Sequence, residues 1–116
     1  MNGIDTLAQT LQTYLSEDQT NQVKRAYFFA EQRYVFLVTK SGPQFIIDKT
    51  LDHLVDVLDP DRFFRINRKF IIGIDAIANM FAYSKSRVKV ELNPPSESEA
   101  IVSVERSGKF KQWLGG

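Results

Sequence analysis

Asp59–Ile74, DPDRFFRINRKFIIGI, is the stretch whose reading decides the fold. Phe63–Ile66 and Phe70–Ile74 are aromatic and β-branched runs of the kind enriched in strands. Alternate residues of a strand face opposite ways, so one side packs while the other presents cations from Arg62, Arg65, Arg68 and Lys69. At Asn67-Arg68-Lys69 three polar residues in a row break the alternation. Such a break projects side chains outward from a rigid β scaffold. Arg and Asn are the side chains best matched to the edges of guanine and adenine. A solvated basic edge strand, whose charge discourages aggregation, has the same pattern.

Upstream of this stretch, Thr50 is placed to cap a short helix whose apolar face is Leu51, Leu54, Val55 and Leu58, with Asp52 in its first turn. Asp59-Pro60 stops it, because proline disfavours helical geometry in the residue before it. Tyr27–Phe29 and Tyr34–Thr39 form a hairpin across Ala30–Arg33. Lys40-Ser41-Gly42-Pro43 is turn chemistry, and Gln44–Ile47 a short strand. Ile4, Leu7, Ala8, Leu11, Tyr14 and Leu15 recur at helical spacing, and Ser16–Gln22 (SEDQTNQ) is wholly polar. That first helix either trails from something upstream or docks on the domain's own core.

Downstream, Ile77–Tyr83 and Arg87–Leu92 pair around Ser84-Lys85-Ser86, and Asn93–Glu99 is a Pro- and Ser-containing loop. Ala100–Val104 alternates as a last strand. Ser107–Leu114 closes the chain as a short helix with Phe110, Trp113 and Leu114 inward, ended by Gly115-Gly116. Arg106 then falls at the strand-to-helix junction, Ser107 and Gly108 offer free N–H groups to a phosphate, and Lys109 and Lys111 face solvent. The count is about eight short, mainly antiparallel strands with two or three short helices: mostly β, a β-rich α+β domain.

Composition excludes much. The chain has 116 residues, 43% hydrophobic and 25% charged, the profile of one globular domain. No cysteine and a single histidine, His53, leave no disulfide, thiol nucleophile or His/Cys zinc site. His53 lies on the polar side of its helix beside Asp52 and Asp56, no Gly-rich phosphate loop exists, and no acid–base pair is evident. The reading is therefore no enzyme, no cofactor and no metal. No apolar run approaches a membrane span, no signal peptide is evident, and a cytoplasmic home fits. The net charge of +1 hides a split. Residues 1–61 carry five cations against nine acids, and residues 62–116 carry ten against five. Such asymmetry hints at an anionic partner.

Taken together, LDPDRFFRINRKFIIGIDAI resembles the signature of LytTR-type DNA-binding domains, output modules of bacterial response regulators. In that family an L-x-x-L helix leads into "F-x-R-[IH]-[HN]-R-x-[FY]-[LIV]-[LIV]-[NSG]". Val102–Leu114 is similar to the family's closing "V-x-V-S-R-x-x-x-x-x-F-K-x-W-L". The resemblance spans about residues 24–114. It implies an elongated arrangement of short strands whose loops enter successive major grooves of DNA. Carried over by position, it implies DNA contacts at Asn67, Arg68 and Lys69, at Arg106, and near Gln32, Arg33 and Tyr34. Ser107 and Lys109 join them from the helix reading.

Two departures stand out. Glu105 occupies the place of a family Ser, and the polar Ser16–Gln22 stands where the family has a strand pair. The expected organisation is a helix and linker at 1–22, connecting from an upstream domain, and a LytTR-like domain at 23–116. The expected function is sequence-specific binding of double-stranded DNA with repeated sites, as a homodimer, in transcription regulation by a two-component system. An upstream receiver domain belongs to that expectation. The alternative is a β-rich protein-interaction or oligomerisation module that has lost the DNA surface, which the +1 total, Glu105 and the missing first strand pair favour.

Overall fold

A computed structural model describes residues 26–39 and 44–115. The anticipated helix at Ile4–Leu15, the linker at Ser16–Gln22 and the turn at Lys40–Pro43 lie outside the described residues. In chain order come β1 (Tyr27–Glu31), β2 (Tyr34–Val38), β3 (Gln44–Ile47), α1 (Leu51–Val57), β4 (Phe63–Arg65) and β5 (Phe70–Gly73). Then follow β6 (Ile77–Tyr83), β7 (Arg87–Leu92), β8 (Ala100–Ile101) and α2 (Val104–Trp113), with 3-10 turns at Ile74–Ala76 and Ser84–Ser86. Five strands form one sheet in the order β3-β2-β1-β5-β4, and three form another, β6-β7-β8. Every strand pair is antiparallel. The molecule is elongated, 46 × 31 × 24 Å.

The period of two along each strand splits the core in half. Phe28, Leu37, Phe63 and Ile71 point to one face of the five-stranded sheet, where Leu51, Leu54 and Leu58 of the α1 segment cover them. Tyr27, Val38, Phe70 and Ile72 point to the other face, where Val90, Leu92, Val102 and Phe110 meet them. The inner strand β5, FIIG, is thus buried on both sides. This explains why Phe70–Gly73 is apolar without alternation. Each such buried side chain contributes about 1.5–3 kcal/mol relative to exposure. The Tyr27 hydroxyl reaches through the second half-core and donates to Pro94 O at 2.8 Å, and burial pushes its pKa up to about 12.

Three expectations need correction. The β1–β2 hairpin closes more tightly than Ala30–Arg33 implied. Glu31 pairs with Tyr34, leaving a two-residue turn in which Gln32 takes a φ of 57°. Val55 leaves the buried stripe of α1 and is 47% exposed, because a helix of seven residues contacts the sheet only through Leu51 and Leu54. Its cap is as anticipated, with Thr50 Oγ1 accepting from the His53 N–H at 3.1 Å.

The last strand stops at Ile101, and α2 starts at Val104 rather than Ser107. Ser103 N donates to Ile66 O at 2.9 Å, while Ser103 O accepts from Arg106 N at 3.1 Å, so the chain turns helical there. Gly115, with φ of 95°, follows the helix, and its N–H meets Gln112 O at 2.9 Å. A glycine just past a helix end relieves the steric cost of that left-handed conformation.

Candidate nucleic-acid interface

The β4–β5 hairpin is shaped by two of its own polar residues. Asn67 Oδ1 accepts from the N–H groups of Lys69 at 2.7 Å and Phe70 at 2.9 Å, forming a side-chain turn. Its Nδ2 donates to Ile101 O at 2.7 Å, tying the loop to the chain before α2. Arg65 grips the same loop from the other side. Its Nε donates to Asn67 O at 3.0 Å and its Nη2 to Arg68 O at 3.1 Å, while Nη1 pairs with Asp52 of α1. One guanidinium therefore fixes two loop carbonyls and a helix, which lysine's single ammonium cannot reproduce.

These bonds redefine the expected contacts. Asn67 has both Oδ1 lone pairs engaged and one N–H left, so it cannot make the bidentate contact that reads adenine. Lys69 is engaged within the fold, with Nζ donating to Ser98 Oγ at 2.9 Å and lying 4.0 Å from Glu31. Arg68 is left as the outward cation of the loop: its side chain is exposed and meets no partner among the described residues.

Replacing Asn67 by alanine strips partners from two N–H groups and one carbonyl. The expected cost is about 2 kcal/mol of stability, read by urea denaturation. Unchanged stability with altered base preference would return Asn67 to the role of a reader.

The early start of α2 changes the second basic group in the same way. Ser107 sits within the helix, buried, with Oγ donating to Ser103 O at 2.9 Å. It offers no free N–H groups to a phosphate, since its backbone belongs to the helical ladder. Arg106 instead stands in the first turn, and Glu105 beside it complements the helix dipole. Arg106 is half-buried and Lys109 exposed, and neither side chain has a partner among the described residues.

Aromatic packing holds α2 against the hairpin. Phe64 lies 5.6 Å from Phe110 and 5.4 Å from Trp113, and Trp113 Nε1 donates to Pro60 O at 3.0 Å. Between α1, β4 and α2 runs an open groove of about 1160 Å³, lined by Arg65, Asn67, Arg68, Lys69, Arg106 and Lys109 with Glu105 as the acid among them. The β1–β2 turn joins this surface, because Ala30 N donates to Lys69 O at 2.8 Å. Gln32, Arg33 and Tyr34 are exposed there and share a shallow hollow with Arg65 and Arg68.

Of the nine residues named from the sequence, Gln32, Arg33, Tyr34, Arg68, Arg106 and Lys109 thus lie on one continuous face. Asn67 and Lys69 also line the groove, but their side chains are engaged in bonds within the fold, and Ser107 is buried in the helix. Arg65 and its partner Asp52 went unnamed as site residues. Arg65 stood in the quoted motif, but a strand arginine gives no sign in sequence that loop carbonyls will occupy it.

A family sequence profile described as the LytTr DNA-binding domain matches residues 8–115. The match begins within 1–22, the stretch read above as helix and linker. Among solved structures, the chain is similar to a domain from Bacillus cereus described as the LytTr DNA-binding domain of a methyl-accepting/DNA response regulator. The TM-score is 0.69 at 19% identity, over 80% of this chain and 83% of that one. No curated protein matches the chain.

Proposed function

Because the chain belongs to the LytTR DNA-binding domain family, we propose that it binds double-stranded DNA sequence-specifically as the output domain of a bacterial two-component response regulator. The observation that carries the proposal is the pairing state of the cations. Arg65 and Lys69 are engaged within the fold, whereas Arg68 and Arg106 face one groove with their guanidinium groups uncommitted. An uncommitted guanidinium is the group suited to bidentate contact with guanine in the major groove.

In this reading Arg68 enters the groove from the β4–β5 loop and Arg106 from the first turn of α2. Arg33 and Lys109 neutralise phosphates on either side, and Gln32 and Tyr34 flank them. Two copies occupy repeated sites one or more helical turns apart, about 10–10.5 bp each. The segment preceding the matched residues 8–115 connects to an upstream receiver domain whose phosphorylation raises local concentration through dimerisation. The protein works in the cytoplasm without a catalytic step. No helix among the described residues is long and apolar enough to cross a membrane.

Salt dependence tests the proposal. Two phosphate-neutralising cations, Arg33 and Lys109, predict a slope of log K against log salt of about −1.8 per chain, and about −3.6 if Arg68 and Arg106 meet phosphates as well. Titrations with a promoter duplex and a scrambled one, at several salt concentrations, supply it. The competing reading, an interaction module without a DNA surface, rests on the loss of Asn67 and Lys69 to internal bonds. Affinity for any duplex weaker than about 10⁻⁴ M at low salt would favour that module.

A further inference from the structure

Arg106 and Arg68 reach the groove from unequal supports. Arg106 stands on α2, whose backbone is fixed by its own ladder of hydrogen bonds. Arg68 stands on a loop. The β4–β5 ladder closes where Ile66 N donates to Phe70 O at 3.1 Å, so Asn67, Arg68 and Lys69 lie beyond it. A side chain on a loop is placed less precisely than one on a helix or strand, unless other groups hold the loop.

Those groups converge on the two peptide planes that flank the Arg68 Cα. The plane before it carries Asn67 O, which accepts from Arg65 Nε at 3.0 Å. The plane after it carries Arg68 O, which accepts from Arg65 Nη2 at 3.1 Å, and Lys69 N, which donates to Asn67 Oδ1 at 2.7 Å. Because a peptide is planar, a residue has only φ and ψ to turn about. Holding both planes fixes both angles, and with them the direction in which the Arg68 side chain leaves the backbone. Among the described residues, Arg65 is the one side chain that bonds to both planes.

Arg65 is itself poorly placed to contact DNA. Its side chain is only 15% exposed, and each guanidinium nitrogen already has a partner, Nη1 pairing with Asp52. That carboxylate also offsets its charge.

We propose that Arg65 is a positioning residue: by holding the peptide on each side of Arg68, it aims that guanidinium and sets base discrimination without touching a base. The effect on discrimination rests on the DNA reading, whereas the aiming of Arg68 does not. A bidentate base contact demands a fixed approach. A charge near a phosphate acts over a range of positions. A loop freed in the unbound chain must be ordered again on the specific duplex, at about the cost of fixing one residue's backbone. That cost falls on the specific complex alone.

Arg65→Lys keeps the charge, but a single ammonium cannot span both carbonyls and Asp52. In the chain without DNA, the backbone order parameter at Arg68 is expected to fall from about 0.85 to below about 0.6, with β4 and β5 unchanged. An Arg68 that stays as ordered as the strands would overturn the proposal. For DNA, the probes are the duplex that the wild-type chain enriches from a random library and a scrambled version of it. Arg65→Lys is expected to lose about tenfold on the enriched duplex and less than about twofold on the scrambled one. In an Arg68→Ala background it should cost nothing further, because the side chain it aims is gone.

Equal losses on both duplexes, or an undiminished loss in the Arg68→Ala background, would make Arg65 a DNA contact in its own right and overturn the proposal. Asp52→Asn keeps both carbonyl bonds and is expected to cost about twofold, whereas a loss of about tenfold would move the effect to the ion pair, with the same consequence. Melting curves establish that each variant is folded. If the wild-type chain enriches no duplex, the DNA reading falls and base discrimination with it. The order at Arg68 then still decides the positioning, so the two failures are told apart.

Discussion

Alanine at Arg68 is expected to cost about 1–3 kcal/mol of affinity for the specific duplex, and alanine at Arg106 about the same. Each guanidinium faces the groove without a protein partner, so its removal withdraws a DNA contact and leaves nothing unpaired in the fold. Stability should stay within about 0.5 kcal/mol, as for other substitutions that break no buried contact. Anisotropy titrations against a specific and a scrambled duplex make the distinction. A larger loss on the specific duplex identifies base contacts. Equal losses on both would reassign the residues to phosphates, and no loss on either would move the DNA surface elsewhere. The double variant should lose the sum of the two, provided the arginines do not share a base pair.

Phe110→Ala has the largest expected effect on the fold, about 3–5 kcal/mol. The ring is completely buried in the half-core between the two sheets. It also contacts Phe64 at 5.6 Å and Trp113 at 5.8 Å, the packing that docks α2 on β4. Urea denaturation reads the loss directly. Because α2 carries Arg106 and Lys109, DNA affinity should also fall at temperatures where the variant remains folded, although Phe110 lies outside the groove. A stability loss below about 1 kcal/mol would show that α2 is held mainly by other contacts.

The contrast between these variants mirrors what was legible in the sequence. The β4–β5 stretch could be read because its burial follows local rules: alternating Phe63 and Phe64, a polar break, then a run buried on both faces. The antiparallel, mostly β architecture and the capping of α1 by Thr50 followed from the same kind of short-range signal.

The start of α2 did not. Val102 and Val104 flank Ser103 in a strand-like alternation, but Val102 enters the core while Val104 begins the helix and is 55% exposed. What turns the chain there is the bond from Ser103 N to Ile66 O, a partner from another part of the sequence.

The site was legible in type and blurred in role for a related reason. Sequence shows that Asn67, Arg68 and Lys69 are polar and adjacent. It does not show that Ile101, Ser98 and Glu31 will engage the first and third of them. Side chains become committed or free only when distant segments meet, and the resemblance to LytTR domains carries positions without that information. Arg68 and Arg106 emerge as the paired candidates because the fold consumes their neighbours.

The most direct test of the central claim is an NMR titration of the chain with a specific duplex, following backbone amides and arginine Nε–H groups. The account predicts perturbations at Gln32–Tyr34, at Arg68 and along Val104–Lys109. The Arg65 Nε–H resonance should stay unperturbed, since it remains bonded to Asn67 O. Perturbations absent from both Arg68 and Arg106, with the largest shifts elsewhere on the molecule, would contradict it.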